Sequence, residues 1–323
     1  MKTRILSVSS LSLPLSLSLL LAGACGGDDD DGSGTTVDAS GGGGGGGVDA
    51  AGGGGGVDAG VDGDGYKAIL TTDWTLPPPN SPKPDRYFCA DLTMQQDVII
   101  SGFRTISPNG THHTVLSVGD PVGPDSPGYQ CTVADNRTTL MYASGVGTDD
   151  FVFPEGVGLR VKAGQQLRLN VHTFNATDYD LSGTSGVAVK VVPSVETEAE
   201  FTFAGPLQFS IPSDGAEHEI FGSCPVTQDV TVLNWWPHMH QLGRHMKIEV
   251  SGEVVHDQPF SFTNQVNYPT ERQLVAGDVI DVTCTYLNDT GDPVGFGDSS
   301  TQEMCFAGFY RYPKVGQDFC ASF

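Results

Sequence analysis

Positive charge is scarce in this chain. Sixteen lysines and arginines stand against 39 aspartates and glutamates, for a formal net charge of −23. A surface of that sign repels phosphate, so nucleic acid is excluded as a partner. Helical periodicity is missing as well: no window sustains apolar residues at a 3.6-residue period, which excludes an architecture of amphipathic helices. No Cys-x-x-Cys occurs among the seven cysteines, and with it goes the usual thiolate metal site. The one long apolar run, from Ile5 to Leu21, is threaded with serines and too interrupted for a membrane-spanning helix.

What is present begins with an export signal over residues 1–25. Lys2 and Arg4 precede the apolar run, which closes in Leu21-Ala-Gly-Ala-Cys25. A cysteine directly after small residues resembles a bacterial lipoprotein cleavage site, at which Cys25 becomes the lipidated N-terminus. Ala22 stands where that pattern most often has leucine. Ordinary cleavage leaving a free thiol, or an uncleaved anchor, are the alternatives. Residues 26–65 are almost wholly Gly, Asp, Ala, Ser, Thr and Val, with glycine blocks at 41–47 and 52–56. Such a segment buries too little apolar surface to offset its chain entropy and reads as a disordered tether. Its r.m.s. reach is about 35 Å, from the square-root scaling of flexible chains. The signal carries a charge of +2 and the tether −9, which leaves −16 from Tyr66 onward. That charge suits solubility outside the cytoplasm. The expected location is extracytoplasmic, lipid-anchored in a bacterial cell envelope or secreted, and the expected state is a monomer.

Beyond Cys25 six cysteines remain: Cys89, Cys131, Cys224, Cys284, Cys305 and Cys320. An even number in an exported chain points to disulfides, with fifteen connectivities open on spacing alone. The text from Tyr66 is all-β. Short runs such as Leu167-Arg-Leu-Asn-Val171 and Gly186-Val-Ala-Val-Lys-Val-Val192 cluster β-branched residues between Gly, Pro, Asn and Asp breaks. The pattern breaks around Pro193 to Glu200 and resumes at Phe201. Val161-Lys-Ala-Gly-Gln-Gln-Leu and Leu274-Val-Ala-Gly-Asp-Val-Ile precede a strand in each half. We therefore expect two tandem antiparallel, jelly-roll-like β-sandwich domains, residues 66–195 and 196–323.

The chemistry lies in the histidines. In Asn234-Trp-Trp-Pro-His-Met-His-Gln-Leu-Gly243, His238 and His240 stand at i and i+2, on one face of an extended segment, where two imidazoles converge on a metal without a helix. Alone, a His-x-His is more commonly a satisfied or exposed pair. The first half holds adjacent His112 and His113, and later His172. Neighbours on a regular strand face opposite ways, so one ion shared by His112 and His113 requires a bulge, an edge position or different ring nitrogens. His172 reads equally well as a core histidine. Met304, in Gln302-Glu-Met-Cys305, is by default core filler. As a thioether beside two imidazoles it favours Cu(I). His245, at odd parity from His240, is expected to face away, and His218 and His256 sit in polar turn text.

Adjacent histidines with a distant third, followed by His-x-His and Met-Cys, resemble the copper type II, ascorbate-dependent monooxygenases, the family of peptidylglycine α-hydroxylating and dopamine β-monooxygenases. Tyr87-Phe-Cys89, His238-Met-His-Gln-Leu-Gly243 and Glu303-Met-Cys305 add local matches over roughly Asp73 to Phe319. The resemblance implies two copper ions. His112, His113 and His172 would hold the electron-transfer copper, and His238, His240 and Met304 the copper where O2 and the substrate C–H bond react, with ascorbate or a similar one-electron reductant. It also implies the disulfides Cys89–Cys131, Cys224–Cys320 and Cys284–Cys305. The peptide-processing members anchor a terminal carboxylate with an arginine, an asparagine and a tyrosine, where this chain has Trp236, Phe306 and Gly308. A peptidyl-glycine substrate is therefore not expected, and Trp235, Trp236 and Phe306 favour a small apolar or aromatic one. The alternative function is a non-catalytic copper-binding or delivery lipoprotein on the same fold.

Overall fold

The computed structural model describes residues 61–78, 85–132, 135–137, 139–145, 147–175, 177–297, 299, 301–317 and 319–320. The expected signal, Cys25 and the tether as far as residue 60 lie outside them. All described residues fall in one compact unit, Gly52–Phe323. Among the described residues there is no helix, and the all-β reading holds.

Residues 67–198 build two sheets. One runs Lys67–Leu76, Leu181–Val192, Val98–Ile106, Val157–Val161, Thr197–Glu198, with Phe151–Val152 on the side. The other runs Ser126–Cys131, Asp85–Thr93, Gln166–Phe174, Thr111–Gly119, Thr139–Gly145. Residues 200–320 build two larger sheets, Tyr268–Leu274, Val230–His238, Phe306–Tyr312, Glu200–Ala204, Phe319–Cys320, and Glu217–Pro225, Val279–Leu287, Gly243–Val250, Glu253–Pro259, besides a two-stranded one of Ser210–Ile211 and Val294–Gly295. Among the described strands, pairing is antiparallel except where Thr197–Glu198 meets Val157–Val161 and where Glu200–Ala204 meets Phe319–Cys320. Three disulfides close: Cys89–Cys131, Cys224–Cys320 and Cys284–Cys305.

The two Ala-Gly turns have the same construction. Gly164 and Gly277 both take a positive φ, 83° and 101°, a region open to glycine at no steric cost. Gln165 N donates to Lys162 O, and Asp278 N to Val275 O. The preceding alanine amides donate to Asp97 and Asp229. A second matched pair follows: Asn175 Nδ2 donates to Tyr179 O and Asn288 Nδ2 to Asp292 O, each asparagine accepting from the threonine two residues on.

The apolar interior is not divided where the sequence pattern breaks. The cluster built from Phe103, Leu116, Met141, Tyr142, Leu167 and Val187 continues through Phe201, Leu233, Trp236 and Tyr310. Tyr310 stacks on Phe151 at 4.2 Å between ring centroids, and its hydroxyl donates to Met141 O at 2.8 Å. This joint fixes the first pair of sheets against the second. A separate core, holding Trp235, Met239, Ile248, Val282 and Phe309, fills the second pair alone.

Candidate metal centres

The His112 strand (Thr111–Gly119) pairs with the His172 strand (Gln166–Phe174) in register from Gly119 back to His113, which faces His172 directly. The register then slips: Thr111, not His112, is opposite Thr173. His112 is thus the extra residue of a β-bulge, which turns it to the side its neighbour already occupies. Of the three ways in which adjacent histidines share one ion, the bulge is the one realised. All three rings turn the same nitrogen inward: His113 Nδ1 lies 3.2 Å from His112 Nδ1 and 3.3 Å from His172 Nδ1. Two nitrogens at that spacing, each about 2.0–2.1 Å from a common ion, subtend about 105° there, close to tetrahedral. The donor set fits a transition metal on geometry alone.

The surroundings keep the His113 ring neutral, the form that ligates. Enclosure by protein pushes the pKa of His113 well below its ordinary value, with help from the charges of His172 and His112 and smaller effects from His238 and His240. Tyr87, across the ladder from His172, stacks on its ring at 4.5 Å and 7° between planes.

The second group sits at the end of the Val230–His238 strand. His238 is its last residue, and His240 lies in the turn closed by Gly243 N donating to His240 O. The strand is itself irregular. The buried Asn234 side chain accepts from Tyr310 N at 2.8 Å and donates to Asn267 at 2.7 Å, where the ladder to Phe306–Tyr312 slips. His238 Nδ1 donates to Gln265 Oε1 and His240 Nδ1 to Gln302 O, each at 2.9 Å. Both acceptors are oxygens, so each ring is fixed as the tautomer with its lone pair on Nε2. Burial, then the charge of His240, holds the pKa of His238 down at about 3 against the Gln265 hydrogen bond. Ring centroids are 5.2 Å apart.

Met304 lines the same cavity as His238 and His240, and its backbone is held on three sides. Tyr286 Oη donates to Met304 O at 2.6 Å, and Cys305 is bridged to Cys284. Glu303, fully buried, accepts from His240 N at 2.8 Å and Leu242 N at 2.7 Å. Its carboxyl is pushed up to about 7 by burial, opposed by the backbone amides of Leu242, His240 and Met304. One carboxylate thereby pins the histidine turn to the methionine segment.

The remaining histidines stand apart. His245 pairs with Asp257 at 3.1 Å; because the strand is interrupted between His238 and Gly243, counting parity from His240 did not apply. His218 lies in the Glu217–Pro225 strand and meets Asp214 at 2.8 Å. His256 is a buried residue of the Glu253–Pro259 strand, not of a turn.

Between the two groups lies a cavity of about 380 Å³. Its lining includes His113 and Tyr87 from the first group's surroundings and His238, His240 and Met304 from the second. Phe203, Trp236, Phe306 and Phe319 form an aromatic wall, with Phe306 and Phe319 centroids 4.9 Å apart. Trp236 stacks on His238 at 5.0 Å. A Cβ at Gly308 would meet Phe201 Cζ at 2.7 Å and Trp236 Cε3 at 3.0 Å. The glycine is thus the counterpart of the tryptophan, and no larger residue fits beside it. Trp235 turns the other way, into the second core against Phe309.

Sequence reading missed three contributors. Phe262 stands between the groups, 4.9 Å from the His112 ring and 6.4 Å from His240. Gln265, which orients His238, accepts at its own carbonyl from Thr148 Oγ1 at 2.9 Å, tying the second site to the first half. Both lie in polar text without periodicity, which gave no signal. Glu303 had one: an acid directly before a candidate ligand.

Residues 202–323 match the family model described as copper type II ascorbate-dependent monooxygenase, C-terminal domain. The chain is similar to peptidyl-glycine alpha-amidating monooxygenase A of Xenopus laevis, at 24% identity over 265 residues, 73% of this chain and 27% of that protein. It is similar also to DBH-like monooxygenase protein 2 of Homo sapiens, at 24% over 213 residues, 57% of this chain and 42% of the other. It spans less than half the length of each. Among solved structures, the VP2 subviral particle of infectious bursal disease virus aligns over 75% of this chain and 70% of that one, at 12% identity and a TM-score of 0.19, too slight a likeness to carry an argument.

Proposed function

Residues 202–323 belong to the copper type II, ascorbate-dependent monooxygenase family, and on that footing we propose that the protein is a dicopper monooxygenase hydroxylating a C–H bond of a small organic molecule. His112, His113 and His172 hold one copper through Nδ1. His238 and His240, through Nε2, and Met304 hold the other. Two imidazoles and a thioether are a soft set that favours Cu(I), whereas three imidazoles serve both oxidation states. When bound, copper supplies one-electron redox chemistry at both sites and activates O2 at the second, with ascorbate or a similar reductant as electron source.

The chain's own residues do the rest. Gln265, Gln302 O and Glu303 fix the second-site histidines before the metal arrives, so little reorganisation is left for binding. The aromatic wall positions an apolar body against that site and excludes water from it. No side-chain general base is required. The observation that carries the proposal is the cavity itself: one substrate-sized space bordered by both ligand groups. A copper carrier needs no such chamber.

The domain reading belongs to the same proposal: tandem jelly-roll-like sandwiches at 66–195 and 196–323, behind a signal at 1–25, lipidation at Cys25 and a tether at 26–65. Three disulfides suit an oxidising, extracytoplasmic compartment.

Copper analysis coupled to reductant-dependent O2 uptake tests the function. Two coppers per chain and substrate-stimulated uptake are expected. Met304→Ala is expected to retain the three-histidine copper, to hold the second Cu(I) ~10-fold or more weakly, and to lose hydroxylation. Full hydroxylation by that variant would overturn the second-site assignment.

A further inference from the structure

The aromatic residues suggest an uncharged chamber, but its lining also carries a cation. Arg137 lines the cavity, and only 6% of its side chain is exposed. Its Nη2 donates to Gln166 Oε1 at 2.6 Å and reaches Asp91 Oδ1 at 3.3 Å. The buried Nε meets no acceptor among the described residues. Asp91 does not account for this arginine. Arg168 already holds it in a two-pronged pair, Nε to Oδ1 at 2.8 Å and Nη2 to Oδ2 at 3.0 Å, and Tyr129 Oη donates to Oδ2 at 2.9 Å. Asp135, the next acid along, accepts from the backbone and hydroxyl of Thr132 and acts on Arg168.

Arg137 is thus a second guanidinium on a carboxylate that one guanidinium has satisfied. A buried cation with a donor unused costs free energy unless an acceptor completes it, and an anion does so best. We propose that the chamber takes a small organic anion, with Arg137 binding its carboxylate or enolate oxygen while the apolar body lies against Phe203, Trp236 and Phe306. The charge that the missing clamp at Trp236 would have supplied then comes from Arg137. Two sources present this chemistry: a carboxylate on the substrate, or the enolate of an ascorbate-type reductant. The inference deepens the reading of the cavity as the substrate chamber, and its test does not depend on turnover.

The full chain, its copper content measured, is titrated calorimetrically with 3-phenylpropanoate and with its neutral amide. The wild type is expected to bind the carboxylate at least tenfold more tightly. Arg137→Gln is expected to erase that preference with the amide's Kd unchanged, which shows that the chamber survives, and Arg137→Lys to restore part of it. Equal binding of acid and amide by the wild type, no binding of either, or a preference that persists in Arg137→Gln overturns the proposal. Ascorbate displacing the carboxylate assigns the site to the reductant; ascorbate that leaves it in place assigns it to the substrate. A chain without copper that keeps the preference sinks the dicopper function and not the anion site, whereas two coppers without the preference do the reverse.

Discussion

Glu303 shows how much a single buried side chain decides here. Its carboxylate takes the amides of His240 and Leu242, and the next residue is Met304, so the ligand turn and the ligand segment meet on one group. Glu303→Gln keeps the shape but gives up an acceptor oxygen, leaving a buried amide unpaired. Expected is a roughly 10- to 100-fold loss of Cu(I) affinity at the second site, the range for a lost outer partner, with the three-histidine copper retained. Competition against a Cu(I) chelator reads both. The candidate ligand residue types and their order were legible in the sequence because chemistry restricts which side chains can bind copper. The bulge at His112 was not, because it exists only in the register with the strand carrying His172. Nor was the role of Glu303, since burial of an acid is a tertiary fact.

At the scale of elements, alternation and β-branched runs made the strands readable, and the paired Ala-Gly turns marked where each half turns back. The segment between Pro259 and Tyr268 carried no such pattern, yet it links the two sites: Gln265 joins His238 to Thr148, and Phe262 stands between His112 and His240. Gln265→Ala removes the acceptor that fixes the tautomer of His238. The expected outcome is a fall in kcat of roughly 10- to 100-fold with both coppers retained at saturating metal. An altered copper EPR spectrum at the second site, beside an unchanged melting midpoint, would separate this from simple unfolding.

For the molecule as a whole, acid is the exposed flank. Burial, then the charge of His245, holds His256 at about 4, with Asp257 opposing, against an ordinary value of 6.5. The folded chain therefore refuses a proton that the unfolded chain accepts. This contribution to stability is complete above pH 6.5 and lost as pH falls towards 4. In metal-free protein His238 acts in the same direction. Glu303, pushed up to about 7 by burial, acts in the opposite direction over much of this range, so the test is comparative. Between pH 6.5 and 4 the thermal midpoint of metal-free His256→Gln is expected to fall less than that of the wild type, flattening the slope. A slope unchanged in the variant would remove His256 from the account.

The joint at Tyr310 has a consequence for how this chain can be divided. The family match begins at residue 202, but the apolar interior does not begin there: Tyr310, Trp236 and Leu233 pack into Phe103, Phe151 and Met141 of the preceding sheets. What is recognisable as a unit of inheritance is thus not a unit of folding. A gene encoding 202–323 alone would leave those rings bare to water. Its product is expected to aggregate or to bind a hydrophobic dye, whereas the same residues attached to 66–201 stay soluble. Any recombination that exchanges the second half between relatives must carry the matching face of the first.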